Sequence, residues 1–386
     1  MTAISLGTPS LDERTRDETV LRQELLDQVK KVRDVLTRTA PESEEAGFLV
    51  PEAVDALCQA GLLRMHVPSE LGGHEASMVT QMLVLAALTE IDAAAGWNTM
   101  VNNHSSGFLG VSLPDEALAE VFADGEIPIA ACVVPPMGRA RAVDGGYLLT
   151  GRWKTCSGVT QASWLRLTAA IENEPGRTIF AALPKADVTV HQGSWQVFGL
   201  RGTGSFDVSV QDYFVPAHRA VSDETPLRGG AHYRLRDLAA AAYEHTGIAL
   251  GLGRRALSEM TALAARKGTP RESLLTDLGR LTTQLEAATA LAIATYERIQ
   301  EQLVDRTADV SAVGQPGQAV ATHATQVALE CIEAAYRSAG TAGLYLPNPF
   351  ERLMRDAHGA SQHVAVSPGH YTELGRRRVA ENEGAA

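Results

Sequence analysis

The stretch from Gly145 to Trp164, GGYLLTGRWKTCSGVTQASW, holds the residues best placed for chemistry. Residues 147–149 are predicted to form a short strand, and a second extended segment over residues 152–156 ends in Ser157-Gly158. Small polar residues at strand ends suit a flat, electron-poor ring that lies against a sheet edge, where backbone N–H groups and one hydroxyl reach its heteroatoms. On that interpretation Ser157 lies nearest the chemistry. The same stretch is equally consistent with a plain antiparallel hairpin.

The rest of the chain must position this stretch. The pattern of apolar and turn-forming residues along the chain changes twice. Helical patterns come first, where Asp92 is predicted to cap a helix that carries Trp97, with His104 following that helix. Short extended runs split by Gly, Pro and Asp come next, and long Ala- and Leu-rich helical runs end the chain. We therefore predict an α+β fold in four segments: a disordered lead over 1–17, an N-terminal α-helical domain over 18–126, a central β-barrel or sandwich domain over 127–233 and a C-terminal helical bundle over 234–386.

Composition excludes several classes of function. The net charge is −12, which argues against binding to nucleic acid or to an anionic membrane surface. No apolar run approaches the roughly 20 residues that a membrane span needs, and residues 1–17 lack the apolar core of a signal peptide. The four cysteines are scattered, so neither a zinc site nor a disulfide framework is indicated. We expect a cytoplasmic protein that uses no metal.

Five segments carry a resemblance to a known family: VPSELGG (67–73), TGRWKTCSG (150–158), FGLRGTGSFDVSVQDYFVP (198–216), GIALGLGRRAL (247–257) and NPFERLMRDAHG (348–359). In this order they resemble the acyl-CoA dehydrogenase superfamily, over the chain from about residue 20. The resemblance implies an N-terminal helical domain, a central β-domain and a C-terminal four-helix bundle. It also implies that flavin binds between the β-domain and the bundle, commonly in a homotetramer.

Two departures distinguish branches of that superfamily. Acyl-CoA dehydrogenases commonly place a catalytic glutamate just beyond the Arg-Asp-Ala motif, but residues 358–364 read HGASQHV and contain no carboxylate. The acidic flavin loop is likewise replaced by CVVPPMGRA over residues 132–140. With Pro136–Ala140, Gly145–Trp164 and Gln362-His363 in order, the chain is similar to the flavin-dependent monooxygenase branch, the oxygenase components of two-component aromatic hydroxylases.

The resemblance to this branch implies a reaction and its partners. Reduced flavin (FMNH₂ or FADH₂) and O₂ would form a C4a-hydroperoxyflavin that hydroxylates an aromatic, phenolic small molecule, and a separate NAD(P)H:flavin reductase would supply the reduced flavin. Three alternatives remain open. The chain could be an amine N-oxygenase of the same branch, an acyl-CoA dehydrogenase with Glu244 as its base, or a non-catalytic scaffold.

Three residues are implied to be catalytic. Ser157 aligns with the hydroxyl that contacts the flavin N5, although it could simply cap a strand end. His363 matches a histidine near the distal oxygen or the substrate hydroxyl, and imidazole can donate to the one or deprotonate the other. His104 belongs to the stretch that walls the substrate pocket in relatives, or is a solvated loop residue.

The remaining site residues are implied by the same alignment. For flavin these are backbone contacts from Cys132, Val133, Thr155 and Cys156, with Arg266 donated across a subunit interface and Ser338 and Gly340 near the phosphates. The predicted substrate-pocket residues are Trp97, Asn103, Tyr243, Glu244, His245, His370 and Tyr371. Arg355 and Asp356 are expected to form a structural ion pair.

Overall fold

The computed structural model describes residues 11–222, 225–266, 269–346 and 348–383. Five helices come first: α1 (Leu11–Ala46), α2 (Pro51–Gln59), α3 (Met78–Ile91), α4 (Ala93–Ser112) and α5 (Asp115–Val121). Seven strands follow: β1 (Ala130–Val143), β2 (Gly146–Cys156), β3 (Trp164–Ile171), β4 (Thr178–Pro184), β5 (Thr189–His191), β6 (Phe206–Pro216) and β7 (Ala220–Val221). The chain ends in α6 (Asp237–Arg266), α7 (Glu272–Gln302), α8 (Val310–Ala339), α9 (Pro349–Ala360) and α10 (Gly369–Glu383).

This order confirms the predicted fold class of a helical domain, a sheet domain and a second helical domain. Of the predicted disordered lead, residues 1–10 lie outside the described residues, whereas residues 11–17 already belong to α1, contrary to the prediction. The domain boundaries at 126/127 and 233/234 stay predictions. None of the helices in the described ranges has the length and apolarity that crossing a bilayer requires.

The sheet corrects the hairpin interpretation. Residues 147–149 and 152–156 form one continuous strand, β2, and the antiparallel hairpin joins β1 to β2, with Val143 opposite Gly146. Gly151, between the two predicted extended segments, lies opposite Gly138, and a Cβ added at Gly151 would lie 2.6 Å from the Gly138 Cα and 2.9 Å from the Trp153 ring. The glycine therefore allows close packing inside the sheet, whose strand order is β5-β6-β2-β1-β3-β4-β7.

The two helical domains share a closely packed pair of helices, α3 and α6. Most of α3 is buried on every side, so it is a core helix rather than an amphipathic surface helix. A Cβ added at Gly247 would lie 2.6 Å from the Met82 carbonyl oxygen, and one at Gly251 would lie 2.5 Å from that of Ala86. Because these glycines let α6 lie directly on α3, residues 243–245 of α6 are brought into the protein interior.

Helix α4 joins the N-terminal domain to the sheet domain. It begins at the side chain of Asp92, which accepts a hydrogen bond from the Ala95 N–H at 2.9 Å, as predicted. Asn98, Asn102 and Ser106 recur every four residues and form a polar stripe on one face. Asn102 donates to the Ala130 carbonyl of β1, and Ser106 donates to the Pro128 carbonyl and accepts from the Ala130 N–H.

The stripe also holds the segment that follows β2. The Gln161 side chain donates to Asn98 Oδ1 at 2.8 Å and to Asn102 Oδ1 at 2.9 Å. Helix α4 runs on to Ser112 and is buried almost throughout, so His104 is a buried helical residue and not a loop residue after the Trp97 helix. The polar stripe of α4 lies against the sheet. Trp97 and His104 are seven residues apart and so lie together on the face of α4 beside that stripe.

We expect Asn102→Leu to lower the free energy of unfolding by about 2–4 kcal/mol, because it removes the side-chain donor to the buried Ala130 carbonyl and one of the two acceptors of the Gln161 amide. Urea unfolding followed by circular dichroism measures this change. Gln23→Leu is the control, since it removes an exposed side-chain amide from α1. Equal unfolding midpoints for the two variants would contradict the role assigned to the stripe.

Candidate active site

The site is built around the contact between Trp97 and Ser157. The Trp97 indole Nε1–H donates to Ser157 Oγ at 3.2 Å, and the two residues are 8% and 9% exposed. Ser157 follows a turn in which Thr155 has a left-handed φ of 57° and its carbonyl accepts the Ser157 N–H. A threonine in that backbone region is strained, which is a feature found at functional sites.

Three hydroxyls form a continuous row from Ser157 into the sheet domain. Ser157 Oγ lies 2.7 Å from Ser205 Oγ, which lies 2.7 Å from Thr203 Oγ1. Thr203 in turn donates to the Leu200 carbonyl oxygen at 2.8 Å. Ser205 and Thr203 belong to the Arg201–Ser205 turn, inside the motif of residues 198–216.

Two stacked histidines lie against Trp97. His245 of α6 and His363, just beyond α9, have ring centroids 4.2 Å apart, and both rings meet the Trp97 ring edge to face. The Ala365 N–H donates to His363 Nδ1, so neutral His363 carries its hydrogen on Nε2. His245 shows the opposite tautomer, since its Nδ1 lies 2.9 Å from the Ala241 carbonyl and must donate to it.

Burial keeps both stacked rings neutral. Burial lowers the pKa of His363 to about 4, with His104 adding to the effect. Burial also lowers the pKa of His245 well below its usual value, and the neighbouring His363 acts in the same direction. A neutral His363 is a hydrogen-bond donor through Nε2, whereas the buried His245 Nε2 is an acceptor that has no partner among the described residues.

A third histidine is oriented by a buried carboxylate. His104 Nδ1 lies 3.0 Å from Glu244 Oε2, and Glu244 is 2% exposed. Since a carboxylate only accepts, a neutral His104 ring carries its hydrogen on Nδ1 and presents a lone pair at Nε2. Glu244 and His245, both predicted pocket residues, are buried where α6 meets α4.

Two further histidines, His66 and His232, lie in the same region, although no motif in the sequence marks them. His66 stacks on Tyr233 at 4.9 Å, and its ring lies 6.0 Å from that of His104 and 5.7 Å from that of His232. Burial lowers the pKa of His232 to about 4 and that of His66 well below its usual value. Only the tertiary structure brings them to the site, since they lie far apart in the chain, His66 before α3 and His232 before α6.

Several buried polar atoms in this region have no partner among the described residues: His66 Nδ1, His232 Nε2, His245 Nε2 and Glu244 Oε1. Native proteins satisfy nearly all such atoms, so these are the groups that a bound polar ligand would satisfy. Ligand atoms of His66, His104 and Glu244 lie within 4.8 Å of one another, a spacing that a metal ion could also bridge. The absence of a metal stays a prediction.

The predicted backbone contacts to flavin fall around Ser157. Thr155 is exposed, and Cys156 and Val133 are buried in the sheet next to it. Burial, with Cys132 nearby, raises the pKa of the Cys156 thiol well above its usual range. Cys156 is therefore a packed thiol and no nucleophile.

Other predicted pocket residues form hydrogen bonds with groups in the rest of the protein. Asn103 donates to the Leu62 and Thr99 carbonyls and accepts from the His66 N–H, so it positions His66. Tyr243 is buried, and its hydroxyl contacts Gln81. His370 donates to the Val364 carbonyl and so supports the segment after His363, whereas Tyr371 is 36% exposed and donates to Gln326 of α8. The structure does not bring Tyr371 to the site.

The predicted phosphate-binding residues lie at helix ends. Arg266 is the exposed last residue of α6, and Ser338 and Gly340 lie at the end of α8. Within the described part of one chain, no hydrogen bond or ring contact joins them to Ser157. Their roles, including donation of Arg266 across a subunit interface, stay predictions.

The expected ion pair between Arg355 and Asp356 is wrong. Arg355 pairs with Glu351 and Glu44, both at 2.7 Å. Asp356 faces Arg352 one turn away and accepts the Leu200 N–H at 2.7 Å. Neighbouring helical residues point about 100° apart, so this Arg-Asp pair cannot meet on α9.

Comparison with known proteins identifies the family. A sequence model described as Acyl-CoA dehydrogenase, N-terminal domain matches residues 19–116, and one described as Acyl-CoA dehydrogenase, C-terminal domain matches residues 243–368. Together they match more than half of the chain. The chain belongs to the acyl-CoA dehydrogenase superfamily, which confirms the resemblance seen in its motifs.

Individual relatives place it in the flavin-dependent monooxygenase branch. A pigment production hydroxylase from Rhodococcus sp. is 26% identical over 89% of this chain and 93% of its own length. The oxygenase component of an FADH₂-dependent resorcinol hydroxylase from Rhizobium sp. is 27% identical over 89% of this chain and 90% of its own. The structure of XiaF from Streptomyces sp. with FADH₂ and glycerol superposes with a TM-score of 0.84 at 26% identity, covering 92% of this chain and 94% of that one.

The buried histidines predict a loss of stability in mild acid. Their folded pKa values lie below the unfolded value near 6.5, so their contribution is complete above pH 6.5 and is lost as pH falls towards 4. We expect His363→Asn, whose Oδ1 can still accept the Ala365 N–H, to reduce the slope of unfolding free energy against pH by about 1.4 kcal/mol per unit between pH 4.5 and 6.

Urea unfolding at half-unit pH steps measures this slope. Burial raises the pKa of Asp356 to about 6, which changes the slope of the unfolding free energy in the opposite direction. This contribution cancels in the comparison, because the variant retains Asp356. The control is Gln362→Asn, a non-titrating change one residue away, which should keep the original slope. An unchanged slope in His363→Asn would contradict a neutral His363.

Proposed function

We propose that this chain is the oxygenase component of a two-component flavin-dependent monooxygenase that hydroxylates a phenolic small molecule. The observation that carries the proposal is the opposite polarity of two interior histidines: neutral His104 presents an acceptor, and His363, which lies against Trp97, presents a donor. Relatives named as hydroxylases and monooxygenases of resorcinol and indole-3-acetate support an aromatic substrate. A separate NAD(P)H:flavin reductase would supply the reduced flavin, and we propose a homotetramer.

The residues present fit a flavin at the Ser157 edge. Ser157 Oγ accepts one hydrogen bond, from Trp97, and has a further lone pair, while the exposed Thr155 turn leaves the end of β2 accessible. Cys132, Val133, Thr155 and Cys156 would hold the ring through backbone contacts. When bound, reduced flavin supplies the two electrons with which O₂ becomes an oxygen donor to the ring of the substrate.

The pair of His104 and Glu244 is suited to take a proton from a phenol. Phenol and imidazole differ by about 3.5 pKa units, roughly 5 kcal/mol, so a lone histidine is a weak base for this task. The buried Glu244 carboxylate offsets part of that cost, since it lies 3.0 Å from His104 Nδ1 and stabilises the imidazolium. Loss of the proton makes the ring carbons beside and opposite the phenol oxygen more nucleophilic.

His363 has the complementary task of donating a hydrogen bond without carrying a charge. Its pKa of about 4 keeps it neutral at pH 7, and its hydrogen lies on Nε2. It can therefore donate to a developing negative oxygen in a pocket that Trp97 and His245 shield from water.

The same geometry ranks the alternatives. N-oxygenation of an amine needs no base for a phenol, so the buried Glu244 and His104 pair favours the phenol. An acyl-CoA dehydrogenase would need Glu244 as its base, but Glu244 Oε2 is hydrogen-bonded to His104, which leaves only Oε1 to face a substrate. A non-catalytic scaffold gives no reason for so many unpartnered polar atoms in one interior region.

The purified protein tests the proposal directly. We expect it to bind reduced FMN or FAD and, with a generic NADH:flavin reductase and O₂, to convert a simple phenol into a catechol or hydroquinone, detected by mass spectrometry with ¹⁸O₂. The control is the same mixture without this protein, which should only oxidise flavin. Bleaching of a tightly bound flavin by an acyl-CoA would favour the dehydrogenase instead.

The two histidine roles predict different defects. We expect His104→Gln to lower the turnover of an ordinary phenol by 10²–10³-fold, since a positioned base is worth about that much, and to lower it far less for an acidic nitrophenol that is already ionised. We expect His363→Ala to leave flavin oxidation fast while H₂O₂ replaces product.

Product and H₂O₂ are measured per flavin oxidised. His323→Gln, on α8 and away from these contacts, is the control and should match the unaltered protein. Equal losses for the phenol and the nitrophenol in His104→Gln would contradict its role as base.

A further inference from the structure

We propose that the hydroxyls of Thr203 and Ser205 fix Ser157 as a hydrogen-bond acceptor and so make the site selective for reduced over oxidised flavin. This inference rests on the proposed function, in which Ser157 contacts the flavin N5. It adds two specificity-determining residues that do not contact the flavin themselves.

The direction of each hydrogen bond in the row follows from its last member. The Leu200 carbonyl can only accept, so at 2.8 Å the Thr203 hydroxyl must donate to it. Thr203 then has no second hydrogen and accepts from Ser205. Ser205 has likewise used its hydrogen and accepts from Ser157.

The Ser157 hydroxyl therefore donates its hydrogen to Ser205, and one of its two lone pairs already accepts a hydrogen bond. One lone pair accepts the Trp97 indole N–H, and the other is available to a ligand. Towards a ligand, Ser157 is therefore a hydrogen-bond acceptor. Turning its hydrogen towards a ligand would require Ser205 and Thr203 to turn as well, so that the Leu200 carbonyl would lose the Thr203 hydroxyl as a donor.

The acceptor at the end of the row is itself held in place. Leu200 has a left-handed φ of 54°, which a leucine adopts only when its surroundings require it. Its N–H donates to Asp356 Oδ1 at 2.7 Å, and its carbonyl also accepts from the Thr203 N–H and the Trp195 indole. Reversing the row would therefore cost the buried hydrogen bond from the Thr203 hydroxyl to the Leu200 carbonyl.

The two redox forms of flavin differ at the atom that Ser157 would meet. Reduced flavin carries a hydrogen on N5 and can donate to the Ser157 oxygen. Oxidised flavin presents a lone pair on N5, so two acceptors would face each other unless the row is broken. Selectivity of this kind suits an enzyme that receives its flavin reduced and must release it oxidised.

Binding of both redox forms tests the inference without any turnover. The dissociation constant of oxidised flavin is measured by equilibrium dialysis, and that of reduced flavin by the same method without oxygen. We expect the unaltered protein to prefer reduced flavin, so that the dissociation constant of oxidised flavin divided by that of reduced flavin is above one. Ser205→Ala should lower this ratio about tenfold, the value of one hydrogen bond. The potential of the bound flavin should fall by about 30 mV in the variant, since tenfold corresponds to 29.6 mV for two electrons.

A second position and two matched variants make the test specific. Thr203→Val keeps the shape of the side chain but removes the hydroxyl. Ser205 can then donate to Ser157, which frees the Ser157 hydrogen for a ligand, and the ratio should fall as in Ser205→Ala. Thr203→Ser keeps the hydroxyl and should keep the ratio. Ser209→Ala, which removes a β6 hydroxyl bonded to His191 outside the row, should also keep it.

The outcomes separate the inference from the function on which it rests. If the unaltered protein binds reduced flavin but Ser205→Ala and Thr203→Val leave the ratio within twofold, the inference is wrong and the proposed function stands. If the unaltered protein binds neither form, the proposed function itself is wrong. A fall in both variants with Thr203→Ser unchanged supports the inference.

Discussion

The hydrogen bonds between α4 and the sheet domain are the constraint on which the site depends. Asn98, Asn102 and Ser106 bind the backbone beside β1 and the Gln161 side chain, and this contact sets the height and rotation of α4. The neighbouring face of the same helix then places Trp97 on Ser157 and directs His104 towards Glu244. A small rotation of α4 would break both contacts, so the site and the domain interface form one structural unit.

Backbone groups decide the hydrogen-bond polarity of most of the site. The Ala365 N–H fixes the tautomer of His363, the Ala241 carbonyl fixes that of His245, and the Leu200 carbonyl fixes the direction of the hydroxyl row that ends at Ser157. Burial removes the protonated forms of both rings. Donors and acceptors are thus set before any ligand binds, which lowers the cost of reorganisation when one does.

The ion pairs of α9 show how a shared fold can support different chemistry. Arg352 pairs with Asp92 at the start of α4 at 2.6 Å and with Glu44 of α1 at 3.1 Å, and Asp356 holds Leu200. These contacts join α9 to α1, to α4 and to the end of the hydroxyl row. The segment beyond α9 is then free to differ, and here it carries His363 where the dehydrogenases commonly carry a glutamate.

The sequence by itself determined the order of helical, sheet and helical domains, because hydrophobic periodicity and caps such as Asp92 act over a few neighbouring residues. It also singled out Ser157, His104 and His363, because the family motifs are local. It could not supply the pairing of His104 with Glu244, 140 residues apart, nor the approach of His66 and His232. It divided β2 at Gly151, whose sheet partners are distant in sequence, and it paired Arg355 with Asp356, although neighbouring residues of a helix point in different directions. Which partner a side chain meets is decided by packing between distant segments, and only the tertiary structure contains that information.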